Sequence, residues 1–507
     1  MSEPHSEGAE PPPADRLESL TGAIPSRAMS TEYEAVIGLE VHCQLKTVTK
    51  MFSGAGNSFG EAPNTMIDPT VLGLPGALPV INAKAVELAV RAALALGCRV
   101  QEHSKFDRKH YFYPDLPKGY QISQYDEPYC LGGSVRAELT DGSHRDIGLI
   151  RIHMEEDAGK LVHQERGPFS EVDLNRAGVP LVEIVSLPEI HSAAEAFAYL
   201  TELRRTLRWV GASDCEMQEG TLRCDANVSV RPVGQATLNT RVEIKNLNSF
   251  RNVEAAITHE IARQTGLYRA DRGAEIVQTT VLWDPDAKVT RAMRSKENAA
   301  DYRYFPDPDL PPLHLPAARV AEISAQLPEL PRVRQQRFAS AFAIEPAAAY
   351  ELTMERTTAD YVEALIGLGA KPRLAANWTR EEAIRLANET GKPLVEVVPL
   401  ATMAAVIALV DGGKVARVVA KGEFGALLAS GEAPEAYFTT RGMIQVQDAG
   451  AVAGWVAQVI AAEPKAVADL KGGNEKAIGR LVGATMKLSG GKAEPNAVKA
   501  EILKQLF

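Results

Sequence analysis

The sequence predicts an α+β protein: a large β-sheet-based domain, then an all-helical domain, then a small helical tail domain. Three observations lead there. From Tyr33 to about Phe305 most segments alternate apolar and polar residues with period two, and Gly, Pro, Asn and Asp separate them, as half-buried strands require. Prolines then cluster at Pro306, Pro308, Pro311, Pro312, Pro316, Pro328 and Pro331, which keeps much of that stretch extended or irregular. Beyond it the chain turns into successive segments rich in Ala, Leu and Glu, with breaks at Gly472-Gly473 and Gly490-Gly491.

These shifts set the boundaries. Residues 1–29, with Pro11-Pro12-Pro13 among Glu, Ser and Ala, read as a disordered tail. Residues 30–305 form the sheet domain, broken by helices at 83–96, 192–210 and around 252–265. Residues 306–331 are a Pro-rich connection with one helix at 317–326; residues 332–438 are the helical domain and 439–507 the tail domain. A chain of 507 residues has room for about three such units.

Composition removes several function classes. Net charge is −10, which argues against non-specific coating of nucleic acid. The five cysteines are scattered, with no C-x-x-C, so neither a disulfide framework nor a zinc finger is expected and the compartment reads as reducing. The longest apolar run, near Leu400–Val410, is far short of the roughly 20 residues that span a bilayer, and the N-terminus has no apolar core of a signal peptide. A cytoplasmic, soluble protein is expected. There is no P-loop, no G-x-G-x-x-G in a Rossmann setting and no G-x-S-x-G elbow, so a nucleotide would need a less common site.

The chemistry-bearing residues sit on strands. In 33–45, alternation puts Glu40, His42 and Gln44 on one face, opposite Ile37, Leu39, Val41 and Cys43. In 147–156, Arg151, His153 and Glu155 share a face. Glu183 interrupts the otherwise apolar Leu181-Val-Glu-Ile-Val185. Arg223, Asp225, Asn227 and Ser229 form the polar side of 221–231, and Glu243 and Lys245 that of 241–245. Carboxylates brought close together need a cation or a proton. Glu40, His42, Glu155, Glu183 and Glu243 could hold a divalent ion: Mg²⁺ or Mn²⁺ by the oxygen count, with the histidine leaning towards a transition metal. The competing reading is a set of solvated strand faces, which fits Glu183 least. A second cluster, residues 104–123, interleaves Lys105, Arg108, Lys109 and Lys118 with Phe106, Tyr111, Phe112, Tyr113 and Tyr120, suiting a phosphate-bearing ligand with a base to stack, or an aromatic loop packed on a sheet. In 245–250, Asn248 or Ser249 either caps the following helix or meets a ligand.

Eight strings occur together and in order: Val36-Ile-Gly-Leu-Glu-Val-His42, Leu72-Gly-Leu-Pro-Gly-Ala-Leu-Pro79, Ser104-Lys-Phe-Asp-Arg-Lys109, Tyr111-Phe-Tyr-Pro-Asp115, His153-Met-Glu-Glu-Asp-Ala-Gly-Lys160, Leu222-Arg-Cys-Asp-Ala-Asn227, Glu243-Ile-Lys-Asn-Leu-Asn-Ser-Phe250 and Asp301-Tyr-Arg-Tyr-Phe-Pro306. With them the chain resembles the GatB family, the B-type subunits of the bacterial aspartyl/glutamyl-tRNA(Asn/Gln) amidotransferases, from about residue 33 to the C-terminus. The resemblance implies an ATP-dependent amidotransferase that phosphorylates the side-chain carboxylate of mischarged Glu-tRNA(Gln) or Asp-tRNA(Asn) and amidates it with ammonia channelled from a glutaminase (amidase) subunit. It implies a heterotrimer completed by a small linking subunit, a sheet-based cradle domain, and a tail domain that contacts the tRNA body.

Carried onto this chain, the family's metal positions match Glu40, His42, Glu155 and Glu183; Glu243 is added from its strand face and its place in a motif. Glu155, Glu183 and Lys245 are the expected catalytic residues. Lys105, Arg108 and Lys109 are candidate phosphate or tRNA 3′-end contacts. Arg223, Asp225, Asn227 and Asn246 are candidates for orienting metal, ATP or the aminoacyl group. Many relatives carry a four-cysteine zinc knuckle where this chain has Ser53, Ala55, Asp68 and Val71, so no structural zinc is expected there. No Ser-Ser-Lys or Cys–His glutaminase signature stands out, which fits an obligate complex.

Two other readings stand beside this one. A tRNA-binding scaffold with a decayed metal site would lack ATPase activity dependent on mischarged tRNA. A metal-dependent hydrolase of a phosphorylated small molecule would turn over without tRNA or partners. A tRNA partner is compatible with the acidic average if contacts are local: the basic residues of 104–118, and the tail, whose excess of Lys and Arg over Asp and Glu gives it a net charge of +3, concentrated around Lys471, Lys476, Arg480 and Lys487.

Overall fold

A computed structural model describes residues 32–163, 169–292, 302–445, 449–490 and 493–507. The expected tail at 1–29 and Asp301 lie outside the described residues. The strands that matter for function are β1 (Tyr33–Gln44), β2 (His103–Ser104), β3 (Asp107–His110), β4 (Tyr120–Ser123), β5 (His144–Glu156), β6 (Pro180–Ser186), β7 (Leu222–Pro232), β8 (Val242–Leu247), β9 (Thr279–Asp284), β10 (Val289–Ala292), β11 (Phe305–Pro306) and β12 (Leu313–His314). The first four helices are α1 (Ala83–Ala95), α2 (Ala193–Trp209), α3 (Phe250–Arg269) and α4 (Ala317–Ala325). The expected α+β class holds: a large sheet, then helices from Ala317 to Leu506.

The sheet runs in the order β10-β9-β8-β7-β1-β6-β5-β4-β3-β11. Its neighbours are antiparallel except β8 and β9, which are parallel and joined through α3. A parallel pair cannot be closed by a tight turn, so a helix-length crossover is required there. The apolar face of the sheet packs on α1, α2 and α3 through Leu39, Val41, Ile152, Ile184, Val228 and Ile244 from the strands and Leu88, Leu203 and Ile257 from the helices. Each of these helices starts on a side-chain cap. Asn82 accepts from Lys84 N and Ala85 N, Ser192 from Glu195 N, and Ser249 from Asn252 N. Of the two roles open to Ser249, the structure uses the cap.

Two further apolar clusters lie downstream, one from Phe338 to Phe438 and one from Val452 to Ile502. The first also takes in Trp209, the last residue of α2, so this helix belongs to two cores at once. Among the described residues no helix is long and apolar enough to cross a membrane.

Local contacts fix residues 50–71 against the sheet domain. Asp68 Oδ1 accepts from Val71 N at 2.9 Å, Val71 is buried, and the buried Lys50 ammonium donates to Ala177 O and Leu174 O.

Candidate active site

With one face of the sheet committed to the helices, the polar residues collect on the other. Register carries them across strands: His42 lies opposite Glu183, Glu183 opposite His153, and Ser123 opposite Glu155. On the other side Glu40 lies opposite Asp225, His42 opposite Arg223, and Asn227 opposite Glu243. Strands β3 to β9 therefore present one continuous polar face.

Its densest point is a cluster of two imidazoles and two carboxylates. His42 Nε2 stands 3.4 Å from Glu183 Oε2 and 3.7 Å from Glu155 Oε1. His153 Nε2 stands 3.2 Å from Glu183 and 3.8 Å from Glu155. Ser123 Oγ donates to Glu155 at 3.0 Å, and His153 Nδ1 is buried without a hydrogen-bond partner. One donor atom from each of His42, Glu155 and Glu183 lies within 4.8 Å of the others, a set that fits a divalent ion.

Electrostatics makes the same point. Burial pushes Glu183 up, but His153 and His42 outweigh it and hold the carboxyl well below its ordinary range. Glu155 is likewise lowered: burial pushes it up, and the His153 hydrogen bond and Lys109 outweigh that. In return, burial pulls the imidazoles down but the two glutamates overcome it. His153 is pushed up to about 9 and His42 is also raised. The carboxylates thus favour the charged form of both imidazoles.

A second centre lies toward β8. Lys245 Nζ reaches Asp225 Oδ2 at 2.5 Å and Glu243 Oε1 at 3.0 Å. Thr280 Oγ1 donates to Glu243 at 2.7 Å and Asn227 Nδ2 to Glu40 Oε1 at 3.0 Å. Burial lowers Lys245, yet Asp225 and Glu243 raise it above its ordinary value, so it stays a cation. That suits contact with a phosphate and excludes service as a base at neutral pH. Glu40 sits between the centres, raised by burial and by the charges of Glu183, Glu243 and Asp225.

Four of the five expected metal ligands therefore fall into two groups, with Glu40 between them. Glu243 on β8 and Glu183 on β6 are three strand spacings apart, about 14 Å. One ion with ligands about 2.1 Å away cannot join them. His42, Glu155 and Glu183 form one group, while Glu243 binds Lys245 and Thr280.

The other expected site residues divide as well. Lys109 is on the face, its charge felt by Glu155 and Glu183 and its Nζ 4.9 Å from the Tyr302 ring centre. Asp225 and Asn227 are on it, and so is Arg223, which donates to Asp157 at 2.7 Å. Arg108 points the other way, where Asp307 (2.9 Å) and Asp309 (2.7 Å) take its guanidinium beside the Tyr120 ring. Its alternation with Asp107 and Lys109 is the reason. Arg108→Leu is expected to loosen the 305–309 segment, read as faster backbone hydrogen exchange there, with ATP affinity changed less than threefold. Lys105 pairs with Asp126 (2.7 Å) and Asp107 (3.3 Å). Asn246 has φ 65°, a left-handed conformation asparagine tolerates, at the point where β7 and β8 slip register. Its Nδ2 donates to Trp283 O at 3.1 Å. It builds the bulge that lets Lys245 meet Asp225.

Sequence reasoning leaves three groups out of the site: His153, Ser123, and the pair Tyr302 and Tyr304. His153 is legible by parity with Glu155. Ser123 follows only from the strand pairing. The tyrosines stand in the string 301–306, and Tyr304 stacks on Tyr125 at 4.1 Å.

Comparison with known proteins decides the family. A profile described as "GatB/GatE catalytic domain" matches residues 35–357, and one described as "GatB domain" matches residues 360–506. The chain belongs to the GatB family. It is 50% identical over 471 residues to the B subunit of the aspartyl/glutamyl-tRNA(Asn/Gln) amidotransferase of Carboxydothermus hydrogenoformans, covering 92% of this chain and 97% of that one. The protein of the same name from Thermosynechococcus vestitus is 48% identical over 493 residues (95% and 98%), and that from Geobacter sulfurreducens 48% over 478 (94% and 99%).

Proposed function

We propose that this chain is the amidating subunit of a tRNA-dependent amidotransferase, acting on Glu-tRNA(Gln), Asp-tRNA(Asn) or both. The observation that carries the reading is the His42–Glu155–Glu183 cluster on the polar face of the sheet, in a chain of this family. A carboxylate is a poor electrophile, so amidation needs it activated. Its oxygen attacks the γ-phosphorus of ATP, ADP leaves, and an acyl phosphate forms. Ammonia then adds to the carbonyl, inorganic phosphate departs with the carboxyl oxygen, and one proton is lost to give the amide.

In this reading Glu155, Glu183 and His42 hold Mg²⁺ or Mn²⁺, with Glu40 at its flank and His153 behind the carboxylates. When bound, the ion neutralises phosphate charge and lowers the repulsion met by the attacking carboxylate. Lys245 and Lys109 lie on either side as fixed cations for phosphoryl oxygens, with Asp225, Glu243 and Asn227 setting the position of Lys245 and Glu40. Arg223 borders the same face. Ammonia comes from a glutaminase subunit, joined through a small linking subunit, and the tail domain 439–507 contacts the tRNA body through Lys471, Lys476 and Lys487.

The test uses the reconstituted complex and mischarged tRNA whose side-chain carboxylate carries heavy oxygen. The label is expected in inorganic phosphate in step with amide formation. Label retained in water or tRNA alone, or ATP turnover without tRNA, would refute the reading and favour a small-molecule hydrolase.

Ion binding is expected to depend on pH with a definite sign. His42 is raised, so its proton must leave before Nε2 can bind a metal. Mn²⁺ affinity should therefore rise with pH by up to about tenfold per unit while that proton is displaced. Without metal the linkage runs the other way. The raised His153 contributes stability at low pH that is lost as pH climbs through about 9. Calorimetric Mn²⁺ titrations across the neutral range check this, and a flat affinity would remove His42 from the ligand set.

A further inference from the structure

We propose that Glu102, His103 and His314 form a second divalent-cation site, for a borderline transition ion such as Zn²⁺ or Co²⁺, that fastens the Pro-rich connection to the sheet domain. The short strands β2 and β12 pair antiparallel with His103 directly opposite His314. The next pair outward is hydrogen-bonded, Leu315 N donating to Glu102 O at 2.8 Å. The two histidines therefore occupy a non-hydrogen-bonded position, where facing side chains approach most closely. Their rings stack at 4.8 Å with planes 10° apart, an arrangement that opens by side-chain rotation before both in-plane nitrogen lone pairs can meet one ion, and His314 Nε2 stands 3.2 Å from Glu102 Oε1. One donor atom from each of the three lies within 4.8 Å of the other two.

The donor set selects the ion. Two imidazoles and one carboxylate, with a water completing a tetrahedron, suit Zn²⁺, Co²⁺ or Ni²⁺, whereas Mg²⁺ prefers oxygen alone. Metal–nitrogen bonds of about 2.0–2.1 Å bring ligand atoms to roughly 3.3 Å apart. From a spacing of at most 4.8 Å the ligand atoms must close by up to about 1.5 Å, and all three side chains are exposed and able to turn. This cluster involves none of the residues assigned to ATP chemistry.

Its position gives it a consequence. His314 precedes the buried Leu315 and follows Asp307 and Asp309, which bind Arg108. An ion here would pin the far end of the segment that begins with Tyr302 and Tyr304 beside Lys109. It would act on the connection between sheet and helices, at the opposite end of that segment from the active site.

Co²⁺ titration of the full chain in excess Mg²⁺, followed by visible absorption, tests the proposal. The unaltered chain is expected to show the intense bands of tetrahedral Co²⁺. His103→Asn and His314→Asn should each weaken binding by about tenfold or more and remove the bands, while His42→Asn keeps them. Absence of the bands in the unaltered chain, their persistence in the His103→Asn/His314→Asn double variant, or their loss in His42→Asn overturns the site.

Discussion

Glu183→Gln in the assembled complex is expected to lower ATP-dependent amidation by about 10³-fold or more while glutamine hydrolysis continues. The substitution keeps size and removes the negative charge that faces both His42 Nε2 (3.4 Å) and His153 Nε2 (3.2 Å). On the proposed assignment it deletes one of three ion ligands, and metal stabilisation of transferring phosphoryl groups is worth several kcal/mol, of which about 4 gives the 10³. The fold should survive. The neighbours of Glu183 on β6, Val182 and Ile184, point into the core, and the glutamine occupies the polar face. Two measurements separate the possibilities: amide formation from mischarged tRNA, and glutamate release by the partner. Loss of both signals a broken complex and not a chemical role. Amidation within tenfold of the unaltered enzyme would sink the assignment. His153→Gln is a useful companion. It keeps the three ligands and removes the imidazole behind them, so a smaller loss, about 10–100-fold, is expected.

The sheet and the polar face are legible in the sequence because a period of two is a strong constraint. Once Ile37, Leu39 and Val41 must be buried, Glu40 and His42 must share the other side, and the structure places them there. The same rule applied to 107–110 separates Arg108 from Lys109, a distinction that composition alone hides. What alternation cannot supply is the order of strands. The separation of Glu243 from the His42, Glu155 and Glu183 centre follows from β7 and β1 lying between Glu243 and Glu183, a long-range pairing with no local signature. Asn246 illustrates a different limit. A polar residue beside Lys245 reads as a ligand until the register slip and its left-handed backbone show that it shapes the strand. The helical half is legible only as a class, since Ala- and Leu-rich helices of similar length carry little that says which faces meet.

Arg205→Met carries the largest expected stability effect, and nothing in the sequence marks it. Arg205 lies on α2 with no exposed side-chain surface. Its guanidinium donates to Thr353 O (2.9 Å), Thr353 Oγ1 (2.7 Å), Pro331 O (3.2 Å) and Gln335 Oε1 (3.1 Å), and pairs with Glu202 at 3.1 Å. One residue of the sheet domain thus satisfies acceptors from the end of the Pro-rich connection and from the first helices beyond it. Four residues on, Trp209 donates to Glu329 O at 2.8 Å and enters the downstream core. Methionine fills a similar volume but takes the paired cation from Glu202, leaving its carboxylate the Tyr350 hydroxyl at 2.7 Å, and removes this donor from two backbone carbonyls. Breaking a buried pair by removing one partner costs about 3–5 kcal/mol, against at most about 1 for an exposed pair such as Lys46–Asp214. The loss should appear in urea unfolding as an early transition confined to the sheet–helix junction, followed by fluorescence of Trp209 and Trp378. The double variant Glu202→Gln/Arg205→Met should recover part of it by removing the orphaned charge. Equal stability of Arg205→Met and the unaltered chain would mean that α2 is held by Trp209 and the apolar contacts alone, and that the network of Arg205 serves position and not stability.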